Sequence, residues 1–161
     1  MPFPACMKRR SPGGEMTGRS ALIRCRSCRT VNRIPAVRLH DRPKCGKCKS
    51  LLDFPHMPVV VNDRNFHNEI VDWPGHALVF FWASWCGHCP GVMIYMKDVA
   101  RERAGMLKVA TLNIEQEGML ARQFSVMSVP KLVMFRNGAV VDEINGGVRK
   151  YDLDVWLDRF I

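Results

Sequence analysis

The chain has no long apolar run. Its longest stretch without a polar residue, Ala77–Ala83, spans seven positions, whereas a membrane-spanning helix needs about 20. A transmembrane segment is therefore not expected. The basic start M-P-F-P-A-C-M-K-R-R is followed by no apolar stretch, so no secretory signal is legible and a cytoplasmic protein is expected. Aromatic rings are missing from Ser20 to Asp53, which leaves that segment without surfaces on which bases could stack. Acidic residues are scarce in the same region: residues 1–56 hold 13 Lys/Arg against 3 Asp/Glu, while residues 57–161 hold 11 against 12. The whole basic excess thus lies before Met57. Charge alone, without aromatics, is weak support for nucleic-acid binding, and solvated charge on a small polar unit explains it better. No internal repeat is present apart from a recurring C-x-x-C pair.

What is present divides the 161 residues into three segments. Residues 1–20, with Ser11-Pro12-Gly13-Gly14 and no hydrophobic period, are expected to be a disordered leader, within which Met16 is a candidate alternative start. Residues 21–56 are dense in Arg, Lys, Pro and Cys and too polar to hold a core unaided. The prolines of F-P-H-M-P mark the boundary near 55–58, and residues 57–161 read as one globular domain. There Val59-Val60-Val61 reads as a strand, and Asn62-Asp63 as caps for a helix carrying Phe66, Ile70 and Val71. Ala77–Ala83 is apolar on both faces, like a central buried strand. A helix is expected from Gly87 to near Gly105, with Val92, Met93, Met96, Val99 and Ala100 on one stripe. Leu107–Ile114 (strand), Glu117–Phe124 (helix), Leu132–Phe135 and Ala139–Ile144 (strands) and Tyr151–Ile161 (helix) follow, with Asn137-Gly138 as the hairpin turn. The order β-α-β-α-β-α-β-β-α predicts an α/β fold, a mixed central sheet with helices on both faces.

Six of the seven cysteines form C-x-x-C pairs. Cys25/Cys28 and Cys45/Cys48 are separated by sixteen residues, the spacing of a four-cysteine zinc ribbon. Each pair can place two thiolates on one side of a zinc ion, and two pairs complete a tetrahedron. One structural zinc per chain is expected, with Gly46 easing the second knuckle. Arg24, Arg26, Arg29, Lys44, Lys47 and Lys49 offset the charge of the thiolates. Two disulfides are the competing reading, disfavoured in a reducing compartment. His40 and His56 are expected to be bystanders, and Cys6 a free thiol.

Cys86 and Cys89 stand apart, where the buried strand feeds a helix. Helix N-terminal N–H groups stabilise a thiolate there and lower the pKa of the first cysteine. Cys86, expected to be partly exposed, suits the nucleophile. Cys89, one turn along and more buried, is close enough to form a disulfide with it and suits the resolving role.

The string W-C-G-H-C-P after L-V-F-F-W-A-S, with V-A-T-L-N-I-E and S-V-P-K-L-V-M-F-R-N-G, resembles the thioredoxin family across residues 57–161. The segment C-R-S-C-R-T-V-N-R-I-P with K-C-G-K-C resembles the ribbon of zinc-containing thioredoxins of the thioredoxin 2 type. The resemblance implies a thioredoxin fold behind a small zinc ribbon and a protein-disulfide reductase without organic cofactor, monomeric and recharged by a thioredoxin reductase. It further implies that Trp85 flanks the nucleophile, that Pro130 is a cis-proline facing the disulfide, that Val129 offers backbone hydrogen bonds to a substrate strand, and that Gly146 lines the groove.

Three positions depart from the family. His88 replaces its usual proline, as in protein disulfide isomerases, and an imidazole hydrogen-bonding to Cys86 favours the dithiol and a more oxidising pair. Phe80 and Thr111 replace a buried aspartate and its lysine partner together, which avoids an unpaired buried charge but removes the family's proton acceptor for Cys89. Lys131, after the proline, is expected to add positive charge to the groove. Two other functions compete with reduction: a redox-regulated zinc-binding module or holdase using the basic ribbon, and nucleic-acid binding.

Overall fold

The computed structural model of the protein describes residues 19–161. The expected leader and Cys6 lie outside them, apart from Arg19 and Ser20, and Ser20 already belongs to the first strand.

Residues 20–56 build a small unit. Strand β1 (Ser20–Arg24) pairs antiparallel with β2 (Val31–Pro35), and a short 3-10 turn covers Ala36–Arg38. The loop between the strands carries Cys25 and Cys28. The second cysteine pair closes a similar loop, fastened by a bridge between Lys44 and Leu51. The two loops are built alike. In each, the first cysteine's N–H donates five residues ahead (Cys25 to Thr30, 2.9 Å; Cys45 to Ser50, 2.8 Å) and its carbonyl accepts from four ahead (Arg29, 2.9 Å; Lys49, 3.0 Å). The chain reverses through Arg29 (φ 63°) and Lys49 (φ 64°), both left-handed and neither glycine. The tight turn expected at Gly46 is thus made at Lys49, and Gly46 instead donates its N–H to Asn32.

The segment also holds more of a core than its polarity suggested: Ala21, Ile23, Cys25, Leu39, Cys45, Leu52 and Phe54 are buried together, against Ala104 and Met106 of the following domain. Neighbouring domain residues complete what the ribbon lacks. Arg24 adds a hydrogen bond to the Asp72 carbonyl (3.1 Å).

From residue 59 the elements are β3 (Val59–Val60), β4 (His76–Trp82), α1 (Cys89–Glu102), β5 (Leu107–Asn113), α2 (Gly118–Gln123), β6 (Lys131–Arg136), β7 (Ala139–Asn145) and α3 (Lys150–Leu157). The sheet order is β3-β5-β4-β6-β7, with β3, β5 and β4 parallel and β6 and β7 antiparallel. Strand alternation divides the interior into two layers. Leu78 and Phe80, Leu107 and Val109, and Leu132 and Met134 face α1 and α3, whose Val92, Met96, Val99, Leu153 and Leu157 are buried against them. Val79, Phe81, Ala110, Leu112, Val133 and Phe135 face Phe66, Ile70 and Leu120 on the other side.

Two expected helices differ. The segment after Asn62 is a single π-helical turn, His67–Val71, rather than an α-helix. Asn62 does accept hydrogen bonds from Arg64 and Asn65, but Pro74 is too close for a second regular turn. The helix expected from Gly87 begins at Cys89, with His88 as its cap residue.

The Asn137-Gly138 turn is stapled to Gly75, which exchanges hydrogen bonds with the Asn137 backbone (2.8 Å) and side chain (2.9 Å). Gly138 has φ +81°, and a Cβ there would lie 2.3 Å from the Val71 carbonyl oxygen. Gly138→Ala is expected to destabilise by more than the roughly 1–2 kcal/mol of the left-handed penalty alone, visible as a lowered thermal midpoint.

Candidate functional site

Strand β4 delivers the chain through Ala83-Ser84-Trp85 to Cys86, and α1 begins three residues later, so the C-x-x-C pair occupies the strand-to-helix turn. A disulfide joins Cys86 and Cys89, whose Cα atoms are 5.4 Å apart. Cys86 is 7% exposed and Cys89 3%. The expected order of exposure is kept, but Cys86 is largely enclosed because the turn folds its sulfur toward α1 and the sheet. Trp85, beside it, is 66% exposed.

The turn is held from the segment just after β5. Glu115 accepts hydrogen bonds from the Ser84 N–H (2.7 Å) and hydroxyl (3.0 Å), and its own N–H is held by Asn113 (2.9 Å). Sequence reading did not single out this Ser84–Glu115 clamp, because nothing local announces a partner 31 residues away.

Two further segments converge on the pair. The Val129–Pro130 peptide bond is cis, and Val129 packs against the cluster that contains both cysteines. The Pro130 carbonyl accepts the Gly146 N–H (2.8 Å). Gly146 has φ +91°, and a Cβ on the adjacent Gly147 would stand 3.7 Å from the His88 ring carbon Cγ. His88, exposed at the start of α1, therefore rests beside the loop that holds the proline.

Beneath the pair, Phe80 and Thr111 are register partners on β4 and β5, 0% and 5% exposed. Among the described residues the buried polar or charged side chains are Lys108, Thr111 and Lys131, so no carboxylate is buried there. Lys131 does not charge the groove, contrary to expectation. It alternates with Leu132 and so points to the face opposite the cysteines, where it is buried, bonded to the Phe124 carbonyl (3.2 Å) and paired with Glu143 (3.0 Å). The hydrogen bond from Lys131, helped by Asn145, holds the Glu143 carboxyl below its ordinary pKa.

The other four cysteines come together as a second site. Their Sγ atoms all lie within 4.8 Å of one another, with Cys25–Cys48 at 3.5 Å and Cys28–Cys45 at 3.6 Å. Four sulfurs on a tetrahedron with zinc–sulfur bonds of about 2.3 Å would be separated by about 3.8 Å, so the donor set fits zinc. His40 and His56 are exposed and outside the cluster. The thiols are not equivalent. The Cys48 N–H, then the Lys47 N–H and the Asn32 side chain, pull Cys45 down to about 6. The Ser50 hydroxyl lowers Cys48. At Cys25 the Cys28 N–H favours the thiolate, but burial and the neighbouring thiols outweigh it and push the group up.

A paired C-x-x-C at the turn between a buried strand and a helix, capped by a cis-proline loop, defines a thiol–disulfide oxidoreductase. The family model for thioredoxin matches residues 57–159, and that for the N-terminal region of thioredoxin 2 matches residues 24–50. The chain belongs to the thioredoxin family. It is 33% identical to thioredoxin C-3 of Corynebacterium nephridii over 138 residues, covering 86% of this chain and 94% of that one. With thioredoxin 1 of Nostoc sp. it shares 34% identity over 63% of this chain and 94% of the relative. With the chloroplastic M-type thioredoxin of Triticum aestivum it shares 29%, over 78% and 70%. Among the described residues no helix is long and apolar enough to cross a membrane.

Proposed function

We propose that the protein is a cytoplasmic, monomeric protein-disulfide reductase, with Cys86 as attacking thiolate and Cys89 as resolving thiol. The observation that carries this reading is the Cys86–Cys89 disulfide at the start of α1, with Cys86 the less buried sulfur. In the reduced protein the Cys86 thiolate attacks one sulfur of a substrate disulfide, and the other substrate sulfur leaves as a thiolate. Cys89, deprotonated, then attacks the Cys86 sulfur of the mixed disulfide and expels the second substrate thiolate. Two electrons have passed to the substrate, and the protein carries the Cys86–Cys89 disulfide. A thioredoxin reductase restores the dithiol. With no buried carboxylate near Cys89, its proton leaves to water or to His88.

Trp85, Val129, Pro130 and Gly146 form the face that receives the substrate. Trp85 supplies an exposed apolar surface, and Val129 a backbone edge against which an extended chain aligns. Reduction of insulin disulfides by the protein, with and without a thioredoxin reductase and NADPH, tests the assignment. No turnover in either arm would refute it.

His88 tunes the pair toward oxidation by donating to the Cys86 thiolate as it forms, and Phe80 leaves no buried negative charge to oppose that thiolate. The expected potential is less negative than the roughly −270 mV of a standard thioredoxin. His88→Pro should shift it back toward that value by some tens of mV, within the about 90 mV that separates thioredoxin from protein disulfide isomerase. Equilibration with glutathione buffers measures both. Equal potentials would make His88 a bystander.

The ribbon is read as a structural zinc site of Cys25, Cys28, Cys45 and Cys48, one ion per chain. When bound, the ion crosslinks the two knuckles, which share little core of their own. A second reading, a redox-regulated zinc module or holdase, is favoured by the exposure of Cys48 in a cluster whose Cys28 is half-buried and whose Cys25 and Cys45 are buried, because an accessible thiolate can be oxidised. Zinc release at peroxide concentrations that leave Cys86 functional would support it.

A further inference from the structure

We propose that Asn32 is the residue outside the ligand set that retains the ribbon's metal, by bracing the two cysteine knuckles together and donating to the Cys45 sulfur. The proposal rests on the zinc reading above.

The two knuckles have little else in common. Each closes its backbone hydrogen bonds on itself, Cys25 with Thr30 and Cys45 with Ser50, and among the described residues none joins one knuckle to the other. Apart from the sulfur contacts, the polar link between them is the Asn32 side chain. Asn32 sits on β2 opposite Ile23. Its Oδ1 accepts the Gly46 N–H at 2.9 Å. Its Nδ2 donates to the Thr30 carbonyl at 3.0 Å, with a longer contact to the Ile23 carbonyl at 3.4 Å, and reaches the Cys45 Sγ at 3.5 Å. This orientation is the one the surroundings demand: a backbone N–H requires an acceptor, and two carbonyls and a thiolate require donors. Turned over, the amide would set donor against donor and oxygen against sulfur.

One half-buried amide therefore does three things. It completes the first loop at Thr30, anchors the second at Gly46, and places a hydrogen-bond donor on a ligand sulfur. Residues that hold metal ligands in this way typically change metal affinity by about 10- to 100-fold when replaced. The site is also one-sided. Cys45, under the amide, is 1% exposed, whereas Cys48 is exposed and, outside the cluster, meets the hydroxyl (3.4 Å) and backbone N–H of Ser50. Chelators and competing metals should approach from the Cys48 side, and the ion should leave only when the Asn32 brace lets the knuckles part.

The test uses the full-length zinc-loaded protein and the variants Asn32→Asp and Asn32→Leu. Zinc transfer to a chromophoric chelator is followed, and the thiolate charge-transfer bands of the cobalt-substituted forms are recorded. Asn32→Asp keeps the size and the acceptor for the Gly46 N–H but sets a carboxylate against the Thr30 carbonyl and the Cys45 sulfur, so it removes the donor half of the brace and leaves the anchor at Gly46. Asn32→Leu removes every polar contact. Both variants are expected to hold zinc about 10- to 100-fold more weakly than the wild type, with the cobalt bands of Asn32→Asp displaced. Wild-type retention and unshifted bands in Asn32→Asp would overturn the proposal, even if Asn32→Leu failed to fold its ribbon. A wild-type protein that binds no zinc at all would defeat the zinc reading instead.

Discussion

Cys86→Ser is expected to reduce insulin at no more than the uncatalysed rate, while Cys89→Ser should accumulate covalent adducts with its substrates. A serine hydroxyl at position 86 remains protonated near neutral pH and cannot displace a thiolate from a disulfide, whereas a cysteine at the start of α1 has the unpaired N–H groups and dipole of a 14-residue helix to stabilise its anion. Loss of Cys89 leaves the first displacement intact. The mixed disulfide then persists because the sulfur that would attack it, set one helical turn along, is gone. The two variants therefore fail differently, one with no adduct and no turnover, the other with adduct and no turnover. Non-reducing electrophoresis after mixing with a disulfide-bonded protein separates them. Sustained turnover by Cys89→Ser would reverse the assigned order of attack and resolution.

Removal of the ribbon's metal is expected to have an effect of comparable size on a different part of the molecule. Wild-type protein purified under reducing conditions should carry one zinc per chain, and Cys45→Ser should carry little or none. Structural zinc contributes about 10–16 kcal/mol of apparent binding free energy in small zinc-finger peptides at neutral pH, more than the ribbon's few buried residues can replace. Without it the hairpin and second knuckle should open and uncover Ile23, Leu39 and Phe54, now packed against Ala104 and Met106. Residues 57–161 should stay folded, since both of their core clusters are built from the domain's own side chains.

The pH dependence follows from the thiols. Zinc requires thiolates, so its binding releases protons and weakens as pH falls. In the folded ribbon burial and the neighbouring thiols push Cys25 up from the ordinary thiol value of 9.0, so it resists giving up its proton to the metal, whereas Cys45, pulled down to about 6, gives its proton up readily. Competition against a chelator across this range, with far-ultraviolet circular dichroism of the ribbon signal, measures both effects. A ribbon that stays folded and metal-free would contradict them.

The three C-x-x-C pairs, their spacing, and the alternation of apolar runs with amphipathic stretches are local properties, and they carried the reading of the fold and of both cysteine sites. Asn137-Gly138 was legible for the same reason, since a turn dipeptide acts on its own backbone, whereas the cis bond at Val129-Pro130 was implied only by the resemblance to the family. What a residue meets across the structure was another matter. Lys131 reads in sequence as a charge beside the redox groove, yet the two-residue period of β6 turns it to the far face and gives it to Glu143. Gly46 reads as the turn former of its knuckle, whereas Lys49 makes the turn and Gly46 faces Asn32.

The Ser84–Glu115 clamp, the placement of His88 beside Gly147 and the brace from Asn32 had no local signal at all. Residue identity and spacing set which groups are available and which element each lies on. Only folding decides which of them meet, because hydrogen bonds and ion pairs form between side chains that the sheet register and the two knuckles bring within about 3 Å, regardless of their distance along the chain.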